Sequence, residues 1–203
     1  MATNSRLADV GGELLVRADI IAAATRVFSA RGYHGASMAA IAEAVGMRKP
    51  SLYHHVRTKE DLLFAIHEQL INELTAETVL AIEEADGPSE RLVASLRVAL
   101  NFVSRHKDAV TVFLQENRVV RGPGARWREL VAKRDAYERL VQEIIADGVA
   151  SGEFVDVPPA IASKAVLAMA NWGYTWFDPH GPLSADDIAD VFGRIALHGI
   201  RAH

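Results

Sequence analysis

The stretch VGMRKPSLYHHVRTKEDLLFAI, Val45 to Ile66, gathers Arg48, Lys49, His54, His55, Arg57 and Lys59 around Pro50, Ser51 and Tyr53. Long cations, a small hydroxyl and a phenol in one short segment suit an anionic partner. Arg and Lys reach guanine O6 and N7 or a phosphate oxygen. Ser51 offers a short donor or acceptor and His54 a longer one. Tyr53 can give its hydroxyl to a phosphate, with Lys59 acting from the flank. Phosphate contacts of this kind fix register but carry no sequence information.

Charge is distributed in the same sense. Between Arg17 and Lys59 there are seven Lys and Arg against two acids, and from Glu60 onward 14 basic against 22 acidic residues, within a net charge of −4. A basic head on an acidic body points to polyanion contact at one end only.

The rest of the chain offers little to covalent or metal chemistry. It has no cysteine, which excludes disulfides and thiolate metal sites. Its eight histidines share no metal-ligand spacing, and His67-Glu68 lacks the second histidine of a zinc helix. Asp186-Asp187 are read as first-turn acids complementing a helix dipole behind a Ser184 cap. Arg121-Gly122-Pro123-Gly124 follows no strand and lacks the Lys-Ser/Thr ending of a phosphate loop. No catalytic residue, metal or cofactor is therefore expected. Without a signal-like N-terminus or a long apolar run, the expected location is the cytoplasm, with no membrane partner.

The elements that must carry these residues read as helices throughout. Ile20, Ile21, Ala24, Val27 and Phe28 recur at helical spacing from Arg17 to Arg31, with Gly32 as a stop. Ser37 is a natural N-cap for a helix burying Met38, Ile41, Ala42 and Val45. Pro50 suits the first turn of a short third helix. Thr58 opens a fourth that fades at Asp86-Gly87-Pro88. Further helices are expected over 89–106, 108–117, 126–150, 160–176 and 184–201. No period-2 run of β-branched residues is found, so the fold class is all-α.

Residues 37–55 have the layout of a helix-turn-helix. Ala42 lies one turn before Gly46, small enough for the second helix to cross closely. Gly46 can take the positive φ that ends one helix and redirects the chain. Leu52 and Val56 bury one face of the second helix and leave Lys49, Ser51, Tyr53 and His54 around its exposed sides. A recognition helix places its N-terminal residues at base edges in the major groove.

GMRKPSLYHHVRTKEDL follows ARGYHGASMAAIAEAVG, and from Phe28 through Leu63 the chain resembles the DNA-binding head of the TetR family of transcriptional regulators. The resemblance implies phosphate contacts for Ser37 and Tyr53, a base-reading surface of Lys49, Pro50, Ser51 and His54, and a flanking phosphate contact for Lys59. Arg48 joins this set from its place at the helix start. The sequence departs from the family pattern at Val56, where an aromatic is frequent, and at Ala39, which offers only a methyl group. Specificity is therefore expected to rest on residues 48–54.

The resemblance also implies a dimer interface and an inducer pocket in the body. The last two helices carry apolar positions of mixed size at helical spacing: Ala165, Ala168, Trp172 and Trp176, then Ile188, Phe192, Ile195 and Gly199. That pattern suits a four-helix bundle with a second copy. Phe102, Phe113, Leu114, Trp127, Tyr137, Met169 and Tyr174 are candidates to line a cavity, with Asn117, Arg118 and Arg121 placed to receive an anionic headgroup. The tail NWGYTWFDPHGPLSADDIADVFGRIALHGI is similar to endings in relatives that sense acyl-CoA thioesters or other lipid catabolites.

The expected organisation is a disordered arm over 1–16, a helix-turn-helix DNA-binding domain over 17–62, and a helical ligand-binding and dimerisation domain over 63–203. The expected function is a homodimeric repressor of a palindromic double-stranded DNA operator, released by an apolar or amphipathic small-molecule inducer. A TetR-like activator and a non-enzymatic helical interaction module with a basic head are the alternatives. An enzyme would need a convergent acid/base pair, and none is found in the sequence.

Overall fold

The computed structural model describes residues 16–116 and 124–200. They form ten helices: α1 Ala18–Gly35, α2 Met38–Val45, α3 Lys49–Leu52, α4 Lys59–Glu83, α5 Gly87–Arg105, α6 Lys107–Gln115, α7 Ala125–Ala150, α8 Pro159–Asn171, α9 Gly173–Trp176 and α10 Ala185–Ile200. No β-strand occurs among the described residues, so the fold is all-α. The chain divides into two compact units, Met1–His67 and Glu68–His203. The division falls inside α4, five residues beyond the sequence-based boundary.

In the first unit, short-range chemistry sets the elements. α1 buries Ile20, Ala23, Ala24 and Phe28 on one face. Gly32 (φ 68, ψ 160) breaks its helical path, as a glycine stop should, but three further residues continue the helix to Gly35. Ser37 caps α2, its hydroxyl oxygen accepting from the Ala40 N–H at 3.1 Å. Gly46 ends α2 at φ 74, with its N–H on the Glu43 carbonyl and the Met47 N–H on that of Ala42. This pairing satisfies two carbonyls that the helix end would leave open. α3 is a single turn, and α4 opens on a reciprocal box in which Thr58 N–H and Oγ1 both donate to Asp61 Oδ2. Ile41, Leu52, Val56, Leu62, Leu63 and Ile66 complete the buried interior of this unit.

The second unit is built on longer helices. Its buried cluster takes Leu92, Leu96 and Leu100 from α5, Val141, Ile144 and Ile145 from α7, Val166 and Ala170 from α8, and Ala185, Ile188 and Ala189 from α10, with Phe154 and Phe177. Gly148 is required by this packing, since a Cβ there would lie 2.2 Å from the Phe154 ring. The helix expected over 160–176 is interrupted at Trp172. Both the N–H and the hydroxyl of Thr175 donate to the Trp172 carbonyl, which tightens the ladder and separates α9 from α8. No described helix is long and apolar enough to cross a membrane.

Candidate nucleic-acid interface and the sites of the body

The end of α3 that follows the α2 turn is where the cations emerge. Arg48 is extended (φ −74, ψ 143) as the N-cap, and its carbonyl accepts from Ser51 and Leu52 N–H. Leu52 and Val56 are 0% and 2% exposed, which anchors the turn from below. Arg48, Lys49, Pro50, Ser51, Tyr53 and His54 are all exposed. Ser37 is exposed too, and its hydroxyl proton stays available because the cap uses the oxygen as acceptor. The fold thus brings these side chains onto α2's start, α3 and the turn after it, with solvent-facing donors throughout.

Lys59 behaves differently from the expectation of a free flanking cation. Its Nζ donates to the Tyr33 carbonyl at 2.5 Å and the Ala36 carbonyl at 2.9 Å, and lies 4.3 Å from the centroid of the Tyr33 ring. The ammonium therefore ties the start of α4 to the end of α1, where helix carbonyls favour positive charge. Two of its three N–H donors are spent on backbone, and one is left for a phosphate.

The body holds a cavity of about 320 Å³ between α4, α6, α7 and α8. Ile71, Leu74, Phe113, Leu114, Val131 and Leu167 supply apolar wall, with Tyr137, Arg134, Asp135, Glu138, Lys164 and Asn171 as the polar lining. Arg134 lies over the Phe113 ring, Cζ 4.7 Å from the centroid, and Lys164 is paired with Glu138. Burial pushes the Tyr137 phenol up to about 12. Of the sequence candidates, Phe113, Leu114 and Tyr137 line this cavity, while Phe102, Trp127, Met169 and Tyr174 do not. Phe102 is buried against His106, ring centroids 4.5 Å apart, and Trp127 is buried a helical turn before Val131. On α8 the lining positions are Lys164, Leu167 and Asn171, at helical spacing. Met169, two residues from Leu167, turns to the opposite side. Tyr174 is half-buried, its ring edge-on to Trp172 at 6.2 Å. Asn117, Arg118 and Arg121 lie outside the described residues, as do residues 1–15 of the expected N-terminal arm.

The polar residues missed in the sequence, Arg134, Glu138 and Lys164, read there as solvated helix charge. Only the approach of α7 and α8 turns them towards one cavity. Asp186 and Asp187 lie in the first turn of α10, where Asp187 accepts from the Ser184 N–H and hydroxyl and Asp186 accepts from Asn101 on α5. The Ser184 contacts hold the Asp187 carboxyl below its ordinary range. Among the described residues no group of three or more His, Asp or Glu is placed to hold a metal ion.

An apolar surface runs along α8, α9 and α10. Trp172 is 64% exposed, Trp176 47% and Ile195 57%, and Ile161, Leu183 and Val191 are exposed as well. Trp176 meets Phe192 edge-on at 6.1 Å, which joins the α9 and α10 parts of this surface. Ala165, Ala168 and Gly199 are exposed small positions on it. Ile188 is a correction to the expected interface, because it is 5% exposed and belongs to the buried cluster with Phe177 and Ala185. Seven residues separate it from Ile195, so one stripe holds both, but the core covers the first end of that stripe.

Comparison with known proteins agrees with this layout. Residues 20–66 match the family described as bacterial regulatory proteins, tetR family, and residues 85–200 match the tetracyclin repressor-like C-terminal domain. The chain is 23% identical over 185 residues to the HTH-type transcriptional repressor KstR2 of Mycolicibacterium smegmatis, spanning 91% of this chain and 90% of that protein. It is 25% identical to the HTH-type transcriptional activator FasR of the same organism, over 91% of this chain and 82% of the relative. The crystal structure of AibR in complex with isovaleryl coenzyme A and operator DNA superposes with a TM-score of 0.79 at 31% identity, covering 87% of this chain and 95% of AibR.

Proposed function

The chain belongs to the TetR family of DNA-binding transcriptional regulators, and from that premise we propose that it is a repressor that binds a palindromic operator as a homodimer and is released by an acyl-CoA. The observation that carries the DNA-binding part is the exposed set Arg48, Lys49, Ser51, Tyr53 and His54 on a turn anchored by buried Leu52 and Val56. Arg48 and Lys49 stand at the start of α3, the end a recognition helix turns towards base edges. Tyr53 and Ser37 supply hydroxyls for phosphate oxygens, and the spare N–H of Lys59 supplies a third contact.

Pairing follows from the apolar surface of α8 to α10. An exposed patch containing two tryptophans is costly in water and is the kind of surface that a second copy covers. Two heads related by a two-fold axis read half-sites about 34 Å apart, or a little more. The cavity of the body is the inducer site in this reading, and the likeness to AibR with isovaleryl coenzyme A supports an acyl thioester as ligand. The inducer acts by binding more tightly to a conformer whose heads no longer match consecutive grooves. α4, which carries residues of both units, is the route for that coupling. The regulator works in the cytoplasm, where operator and acyl-CoA meet. Activation is the second reading, favoured by the likeness to FasR.

The test is fluorescence anisotropy of the full chain on its selected operator, with isovaleryl-CoA added. A coupling of about 1–3 kcal/mol lowers operator affinity roughly 5- to 150-fold. Unchanged affinity across a panel of acyl-CoA chain lengths contradicts the ligand part. Absence of binding to any duplex contradicts the whole reading. A reporter gene behind the operator, read with and without the regulator, separates repression from activation.

A further inference from the structure

Among the described residues, two ion pairs tie α4 to other helices of the body. Glu68, the first residue of the second unit, is held by Lys133 on α7, with Nζ donating to Oε1 at 2.5 Å. Glu77 accepts from both terminal nitrogens of Arg105 on α5, Nη1 at 3.2 Å from Oε1. Nine residues separate the two acids, which puts them on opposite sides of α4 and about 14 Å apart along its axis. The Glu68 pair is the more enclosed, its side chains 30% and 33% exposed against 50% and 38% for Arg105 and Glu77.

The Glu68 pair also borders the cavity of the body. Ile71, three residues after Glu68, and Arg134, next to Lys133, both belong to the lining. Glu68 lies on the side of that lining from which α4 runs back to the first unit. Any movement of this part of α4 away from α7 draws the carboxylate off the ammonium. Lys133 then has Glu129, one turn back on its own helix and already 3.9 Å away, as its partner. The bridge is therefore releasable without stranding a lysine charge. At about 320 Å³ the cavity is at the small end of the roughly 300–1,000 Å³ usual for ligand pockets, so a ligand longer than a short acyl chain gains room by parting its walls.

Resting on the reading of this cavity as the inducer site, we infer that the Glu68–Lys133 bridge is a latch. It holds α4 on α7 in the operator-binding conformer, and a ligand that parts the two helices breaks it. The Glu77–Arg105 pair, on the other side of α4, is kept in both conformers.

A latch opposes the ligand, so removing it tightens ligand binding, because apparent affinity scales with the fraction of protein already in the competent conformer. General loosening of the fold would weaken binding instead. Calorimetric titration of the full-length protein, free of DNA, with isovaleryl-CoA and octanoyl-CoA tests this. Glu68→Gln and Lys133→Met are each expected to bind about fivefold tighter than wild type, the effect of an ion pair at the upper end for partly exposed positions. The double variant is expected to match either single one, since one shared contact is lost. Glu77→Gln is expected to leave ligand affinity unchanged. Unchanged or weaker binding in the latch variants overturns the inference and leaves the acyl reading standing, as does equal tightening in Glu77→Gln. A wild type that binds neither acyl-CoA, with operator binding intact, overturns both. The two substitutions act from different helices, so if one variant does not fold the other still decides.

Discussion

The head and the body solve opposite problems with the same secondary structure. In the head, the α2–α3 turn keeps Leu52 and Val56 buried and leaves every donor from Arg48 to His54 outside. In the body, long helices bury a cluster drawn from α5, α7, α8 and α10 and leave a cavity lined by both apolar and polar side chains. The head presents charge on a one-turn helix whose caps are local. The body presents an apolar surface and a cavity, both made only when distant segments meet. Recognition of a charged polymer needs exposed cations on a rigid turn, whereas recognition of a small apolar ligand and of a second copy needs interior and surface shaped by packing.

That contrast is open to direct attack, beginning with the proposed pairing surface. Ile195→Glu puts a charge on a residue that is 57% exposed, so the fold should be kept and the dimer lost. Operator affinity should fall by about 10²–10⁴, the avidity lost when one head must bind alone. Sedimentation alongside anisotropy checks both parts, and a dimer that survives the substitution places the interface elsewhere.

The next largest effect concerns Lys59, where the head's stability and its proposed DNA contact meet. Lys59→Met removes two charged hydrogen bonds to the Tyr33 and Ala36 carbonyls. Each such bond is worth about 1.5–3 kcal/mol, so thermal unfolding should move down clearly. Were Lys59 only a phosphate contact, melting would be unchanged and the slope of log affinity against log salt would fall by about 0.9.

The smallest effect is that of Ser37→Ala, which deletes the cap on Ala40 and a hydroxyl for a phosphate. It should cost about 1 kcal/mol of stability. Its loss of DNA affinity should be uniform across sequences, since a phosphate contact carries no base preference. A change of preferred bases in this variant would mean that α2, rather than α3, reads the operator.

The reach of the sequence follows the same division. The turn at Gly46, the Ser37 cap and the Thr58 opening were legible because each depends on residues within about four positions of one another. Lys59 was legible as a cation but not as a clamp, because its partners lie 26 and 23 residues earlier. A helix ending in open carbonyls near an invading lysine was the available signal. In the body, helical spacing identified apolar stripes but not what covers them. It grouped Ile188 with Ile195, although the core buries only the first. It also put Met169 in the pocket, although the lining face of α8 runs through Lys164, Leu167 and Asn171. Lys164 and Glu138 could not be found from spacing at all, since they are on different helices and pair only after packing.

The central claim is that the head reads a specific palindrome through a paired copy. Selection of the full-length protein on a library of randomised duplexes tests it most directly. The expected result is enrichment of an inverted repeat with half-sites about 34 Å apart or a little more, bound with an affinity that falls steeply between low and moderate salt. Recovery of no enriched sequence, with equal affinity for every duplex, would contradict it.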